Sequence, residues 1–367
     1  MTTIKEVTQC LEALAPLAYQ ESYDNAGLIV GNAETEVKAI LISLDCTEAV
    51  LDEAIARGCN LVVSHHPIVF KGLKKINGKN YVERVIIKAI KNDIALYAIH
   101  TNLDHVAQGV NSMIAQKIGL ENVNILSPKK QILNKLTVFV PTQNTETLLE
   151  ALHKAGAGQI GNYEQCSFVS TGEGRFMGNE NANPSIGKPL EMSQVSEQRV
   201  EVVFPTYLSA KVLAAMKTAH PYEEIAYFLH NLENINQEVG AGAIGDLPFE
   251  MAHDEFLKYL AKAMNLKVIR HTETLNRPIK KIAVCGGAGS FLLGDALAQK
   301  ADVLITADYK YHEFFDAEGK ILIADIGHYE SEVCTKELIY SYLSKHFSNF
   351  ATLISKTNTN PVFYFCE

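Results

Sequence analysis

Apolar residues at Ile4, Val7, Cys10, Leu11 and Leu14 recur at helical spacing, and the pattern predicts a helix over residues 3–17. A turn-rich loop, Tyr23-Asp24-Asn25-Ala26-Gly27-Leu28, follows it. The unbroken run KAILISL at 38–44 predicts a buried strand. Thr47 is placed to cap a helix that runs to Arg57 and stops at Gly58. Residues 60–64 predict the next strand, which ends at His65-His66-Pro67, and 94–99 predict another, which leads into HTNLDH.

The same order returns late in the chain. Residues 280–285 predict a strand, then come a Gly-rich turn, a helix to Lys300 and a strand at 303–307. Without gaps, DEAIARGCNLVVSHH at 52–66 lies over GDALAQKADVLITAD at 294–308, with small and apolar positions coinciding almost throughout. This is an internal pseudo-repeat of a strand–helix–strand unit. A further strand at 320–325 leads into GHYESE. Each half therefore sends two strand ends toward one place, and in open α/β sheets sites form beyond the carboxyl ends of strands.

A different pattern interrupts the repeat. Strands at 135–140, 166–176, 199–205 and 224–230, with helices at 145–155 and 209–218, give the order βαββαβ, the split βαβ plan. The stretch 178–198, rich in Asn, Gly, Ser and Pro, predicts a long loop within it. The expected organisation is a core of two pseudo-repeated α/β halves, 1–128 and 239–367, with an inserted ferredoxin-like α+β domain at 129–238.

Composition narrows the function classes. Apolar residues make up 47% and charged residues 20% of 367, which is ordinary for a globular protein with a sizeable core. The net charge of −9 argues against a non-specific nucleic-acid binder, which needs a basic face. It leaves room for a nucleotide held with metal ions. No signal peptide and no apolar segment near the ~18 residues of a membrane span are visible. Seven scattered cysteines without a CxxC pair read as reduced thiols. The expected location is cytoplasmic.

The chemistry gathers at three strand ends. His65 and His66 are adjacent, so they project to different sides and suit two neighbouring metals better than one. His100-Thr101-Asn102-Leu103-Asp104-His105 adds a hard oxygen at Asp104. His328 and Glu332, four apart, share one face of a first helical turn. The five side chains His65, His66, Asp104, His328 and Glu332 form a mixed nitrogen–oxygen set that suits zinc, manganese, iron or similar ions. Five are generous for one catalytic zinc, which takes three. Shared between two divalent ions with one bridging carboxylate, they leave positions for water and substrate.

Other candidates surround this set. Gly286, Gly287 and Gly289 lie in a turn between strand and helix where backbone N–H groups can cradle phosphate, although the turn matches neither a P-loop nor GxGxxG. A tight packed turn explains these glycines equally well. His100 and Asp308 are candidates to move protons, and Thr306 and His312 to support the site. In the insert, His220-Pro221-Tyr222-Glu223-Glu224 stands out. A helix end before a polar strand start accounts for it, and it is not assigned to the metal set.

Asp24-Asn25-Ala26-Gly27-Leu28, Val63-Ser64-His65-His66-Pro67, His100-Thr101-Asn102-Leu103-Asp104 and Gly327-His328-Tyr329-Glu330-Ser331-Glu332 together resemble the Nif-three-like family, the GTP cyclohydrolase type-two homologues. The resemblance covers 1–128 and 239–367, with Tyr23 where many relatives carry Trp. It implies a dinuclear metal centre on the five residues above, a toroidal homohexamer with the metal sites facing an inner cavity, and a PII- or CutA-like insert. It further implies either a metal-dependent hydrolase that converts GTP to dihydroneopterin triphosphate and formate, or a non-enzymatic metal-binding regulatory or interaction protein.

Overall fold

Val, Ile and Leu fill the parallel strands at Ala39–Ser43, Leu61–Ser64, Ala95–Ala98, Val303–Ala307 and Leu322–Asp325 because those strands are covered on both faces. A computed structural model describes residues 1–365. They form two compact units, Met1–Pro128 joined with the chain from Gln237 onward, and Lys129–Asn236. In chain order the strands are β1 (Gly27–Val30), β2 (Ala39–Ser43), β3 (Leu61–Ser64), β4 (Ala95–Ala98) and β5 (Glu121–Pro128). The smaller unit holds β6 (Leu133–Pro141), β7 (Phe168–Met177), β8 (Met192–Pro205) and β9 (Tyr227–Leu232). The larger unit resumes with β10 (Gly240–Met251), β11 (Arg270–His271), β12 (Ile279–Ala288), β13 (Val303–Ala307), β14 (Leu322–Asp325) and β15 (Ala351–Ile354).

The larger unit contains two sheets, β1-β4-β3-β2-β15 and β11-β14-β13-β12-β10-β5. Within them β2, β3 and β4 run parallel, as do β12, β13 and β14, so the pseudo-repeat is one three-strand parallel unit per sheet. Every residue of β2, β3, β4, β13 and β14 is buried, as expected for parallel strands with both faces covered. Val63, Ile99, Val284, Ile305 and Ala324 share one apolar core, in which each buried Val, Leu or Ile contributes about 1.5–3 kcal/mol. Register sets Ser64 beside Ala98 and Thr306 beside Asp325. The chain therefore leaves β3 and β4 side by side, and likewise β13 and β14.

The first helix, Ile4–Leu14, starts at a reciprocal Thr3–Glu6 cap and stops short of the expected residue 17. Pro16 is the cause, since it forces Ala15 out of helical geometry. No helix of the described residues is long and apolar enough to cross a membrane. The six described cysteines are free.

The smaller unit is an antiparallel sheet ordered β7-β8-β6-β9, with helices Thr145–Lys154 and Ser209–Ala219. Its connectivity is the split βαβ plan. Leu136, Val138, Val140, Val200, Val202 and Phe204 pack against Leu148, Leu152, Val212 and Met216. The expected loop 178–198 is shorter than the sequence suggests, because β8 begins at Met192 and pairs with β7 from Met177. Residues 192–196 are exposed or half-buried, so this part of the strand carries no apolar alternation to betray it.

Candidate metal centre

The carboxyl ends of β3, β4, β13 and β14 bring His65, His66, His100, Asp104, Asp308, His328 and Glu332 together in the larger unit, and all of them except the buried His65 line a cavity of ≈ 1170 Å³. His65 and His66 follow β3 directly. Their ring centroids are 5.0 Å apart, and each serves a different part of the cluster.

His65 is fully buried. Its Nδ1–H donates to the Ile99 carbonyl at 2.8 Å, and since a carbonyl only accepts, Nε2 carries the lone pair. That lone pair faces Asp104 Oδ1 at 3.6 Å and Glu332 Oε1 at 3.9 Å. Burial pushes the His65 imidazole down to about 4, so it stays neutral. His66 gives its Nδ1–H to Asp45 at 2.8 Å, and His328 gives its Nδ1–H to Asp308 at 2.7 Å. Their Nε2 atoms converge at 3.3 Å, and Glu332 Oε2 lies 2.9 Å from the first and 3.0 Å from the second.

The side chains thus form two groups able to hold a metal ion, His65–Asp104–Glu332 and His66–His328–Glu332. Glu332 belongs to both, with one oxygen turned to each. A third group, His65–His66–His100, lies beside them. Asp24 orients His100 by accepting its Nδ1–H at 2.7 Å, and also accepts from the Thr101 amide at 3.0 Å and from the Thr101 hydroxyl.

A cation fits this donor set. His65 Nε2 and Asp104 Oδ1 are buried and have no hydrogen-bond partner among the described residues. With Asp104 ionised both are acceptors and neither can satisfy the other, and buried polar groups without partners are costly. Burial and the nearby Glu332 carboxylate push the Asp104 carboxyl well up. Burial also opposes charge on His66, but hydrogen bonds to Asp45 and Glu332 outweigh it and raise the imidazole to about 10. His328 rises to about 9 through Glu332 and Asp308, again against burial. The carboxylates call for positive charge here, and a metal ion supplies it while leaving the imidazoles deprotonated as ligands.

Glycines 286, 287 and 289 do something other than the expected phosphate cradle. The Gly286 N–H donates to Asn111 Oδ1 at 3.0 Å, Gly287 N–H to Ser331 Oγ at 3.0 Å, and Gly289 N–H to Thr306 Oγ1 at 2.9 Å. These three donors are spent inside the fold and are not free to cradle a phosphate. Its bare backbone instead makes room for Glu332, because a Cβ on Gly287 would collide with Glu332 Oε1.

The signature of the family described as Duf34/NIF3 (NGG1p interacting factor 3) matches residues 2–361. The chain belongs to this family. A Halalkalibacterium halodurans relative described as "GTP cyclohydrolase 1 type 2 homolog" is 38% identical over 361 residues, covering 97% of each chain. A Bacillus subtilis relative with the same description is 36% identical over 363 residues, again 97% of each. The crystal structure of a Bacillus cereus protein related to NIF3 superposes with a TM-score of 0.85 at 36% identity over 99% of both chains. The description shared by the Halalkalibacterium halodurans and Bacillus subtilis relatives states kinship to a cyclohydrolase, and a fold does not by itself assign a reaction.

Two residues escaped the sequence reading in their roles. Asp45, just beyond β2, orients His66, and its position at the same sheet edge as His65 was the available signal. Asp24 orients His100 from a loop 76 residues away. Asp308 emerges as the partner of His328, Thr306 braces the glycine turn, and His312 is exposed against Tyr311.

Proposed function

We propose that the five residues hold two divalent ions, one at His65–Asp104–Glu332 and one at His66–His328–Glu332, bridged by Glu332, in a metal-dependent hydrolase. The observation that carries this reading is the division of Glu332, whose two carboxylate oxygens face two different sets of imidazoles. Zinc, iron or manganese suits these donors. Such ions supply Lewis acidity and lower the pKa of water toward neutrality. Asp45 and Asp308 fix the His66 and His328 rings, as carboxylates behind metal-held histidines do. His100, backed by Asp24 and lining the cavity, is placed to pass a proton to or from a bound molecule.

GTP is the first substrate to test. Water opens the purine at C8, and with net consumption of one water the products are formate and dihydroneopterin triphosphate. The test is metal content per chain measured beside formate release from GTP. Two ions with formate release, lost in His65→Ala, support the reading; two ions without release reject GTP as the substrate. A chain that neither contains nor reloads metal overturns the centre itself.

One observation favours the second reading, a metal-binding regulatory protein without turnover. Among the described residues seven carboxylates line the cavity, including Glu21, Asp45, Asp325 and Glu330. The one guanidinium there, Arg270, is already engaged by Asp325 at 3.0 Å. A triphosphate would find little countercharge beyond the ions. The toroidal homohexamer implied by the resemblance remains part of this proposal. Exposed Phe291, Tyr311, Phe315 and Phe363 offer apolar surface for further copies, and sedimentation of the purified chain tests it.

A further inference from the structure

We propose that the Lys129–Asn236 unit binds a small organic cation, an ammonium or guanidinium on an apolar body, with Glu197 as its counter-ion. The site is a cavity of ≈ 740 Å³ on the sheet face turned away from the two helices. Strand alternation decides that face. Val200 and Val202 of β8 point into the helix-covered core, so Glu197 and Arg199 point the other way.

Glu197 is 8% exposed. Its Oε1 accepts the Tyr222 hydroxyl at 2.9 Å. Neither nearby guanidinium reaches it, since Arg175 pairs with Glu173 at 2.7 Å and Arg199 with Glu201. His220 cannot compensate it either. The His220 Nε2–H donates to the Phe139 carbonyl at 2.8 Å and Nδ1 accepts the Tyr222 amide at 3.1 Å, so the ring is neutral and both nitrogens are committed. A carboxylate this buried, met by one neutral donor, lacks the cation that buried charges ordinarily require.

The rest of the cavity suits such a guest. Phe139, Phe176 and Tyr222 line it, the last two with ring centroids 5.8 Å apart, and aromatic faces attract cations. Gly172 sits opposite Glu197 in the β7–β8 register, and a Cβ there would meet nothing within 4 Å, which leaves the floor open. The Asn183 amide donates to Glu223 at 2.8 Å and holds the β7–β8 connection against the Tyr222 segment. The conspicuous run from His220 to Glu224 thereby acquires a role: His220 fixes the Tyr222 backbone, Tyr222 holds Glu197, and Glu223 anchors the connection.

Calorimetric titration of the full chain with phenethylamine and agmatine tests the proposal, with phenylacetate as the anionic counterpart of the first. At least one of the two cations should bind once per chain and phenylacetate should not. Glu197→Gln should weaken binding at least tenfold. Gly172→Val, which fills open space without a clash, should abolish binding with an unchanged melting temperature, and it serves if Glu197→Gln misfolds. Failure of both cations to bind, equal binding of phenylacetate, or wild-type affinity in either folded variant overturns the proposal.

Discussion

Gly287 and Glu332 compete for one space. A Cβ on Gly287, which has φ +62°, would collide with Glu332 Oε1, the oxygen that faces His65. Gly287→Ala should therefore cost about 1–2 kcal/mol in backbone strain alone and displace the carboxylate that both metal groups share. The expected outcome is a lower melting temperature together with reduced metal content, read by differential scanning calorimetry and atomic emission. Wild-type metal stoichiometry in this variant would show that Glu332 does not depend on the bare backbone.

Metal removal should destabilise the larger unit. His65 Nε2 and Asp104 Oδ1 are buried with no hydrogen-bond partner among the described residues, and the Asp104 carboxyl is pushed up by burial and by Glu332. An ion bound there at a hundred times its Kd stabilises by about 2.7 kcal/mol. Dialysis against a chelator should lower the melting temperature, and added zinc or manganese should restore it. An unchanged melting curve across both steps would exclude a bound ion from this cluster.

The site was legible in sequence where its ligands come in pairs. His65 and His66 adjoin, His328 and Glu332 are one helical turn apart, and each pair follows an apolar strand that announces its position. Asp45 and Asp24 were obscure in their roles because a lone carboxylate after a strand or in a loop looks like any solvated loop residue, and its histidine partner lies 21 or 76 residues away. The glycine turn misled in a different way. Glycine spacing signals close approach but does not say what approaches, and here it is Glu332 rather than a phosphate. The parallel strands were clear because both faces are apolar, whereas the first part of β8 has no buried face to show.

Glu53 predicts an acid-sensitive anchor for the chain after β15. It accepts from the Lys356 and Thr357 amides and from the Ser355 and Thr357 hydroxyls, fixing the chain after β15, and it pairs with Arg57 at 2.7 Å. Burial opposes its charge, but these hydrogen bonds win and hold the carboxyl down at about 2 against an ordinary 4.5. Its folded pKa is depressed, so its stabilisation is fully present above pH 4.5 and is lost as the pH falls toward 2. Glu53→Gln should cost about 2 kcal/mol at neutral pH and flatten that acid dependence. Amide exchange at residues 355–357 checks it, and protection equal to wild type in the variant would refute the anchor.

Asp308 and Asp45 test whether carboxylates behind the histidines position ligands or move protons. Asp308 holds His328 Nδ1 at 2.7 Å and Asp45 holds His66 Nδ1 at 2.8 Å, each on the side of the ring away from Glu332. Asparagine can turn its amide NH₂ toward that nitrogen and no longer secures the tautomer that leaves Nε2 free. Asp308→Asn and Asp45→Asn should each weaken metal affinity about 10–100-fold, the loss usual for such outer partners. Equilibrium metal titration with a competing chelator measures this without recourse to any substrate. If Asp308→Asn retains full metal affinity but loses hydrolysis, Asp308 is a proton carrier after all, and the positioning role falls to Asp45 alone.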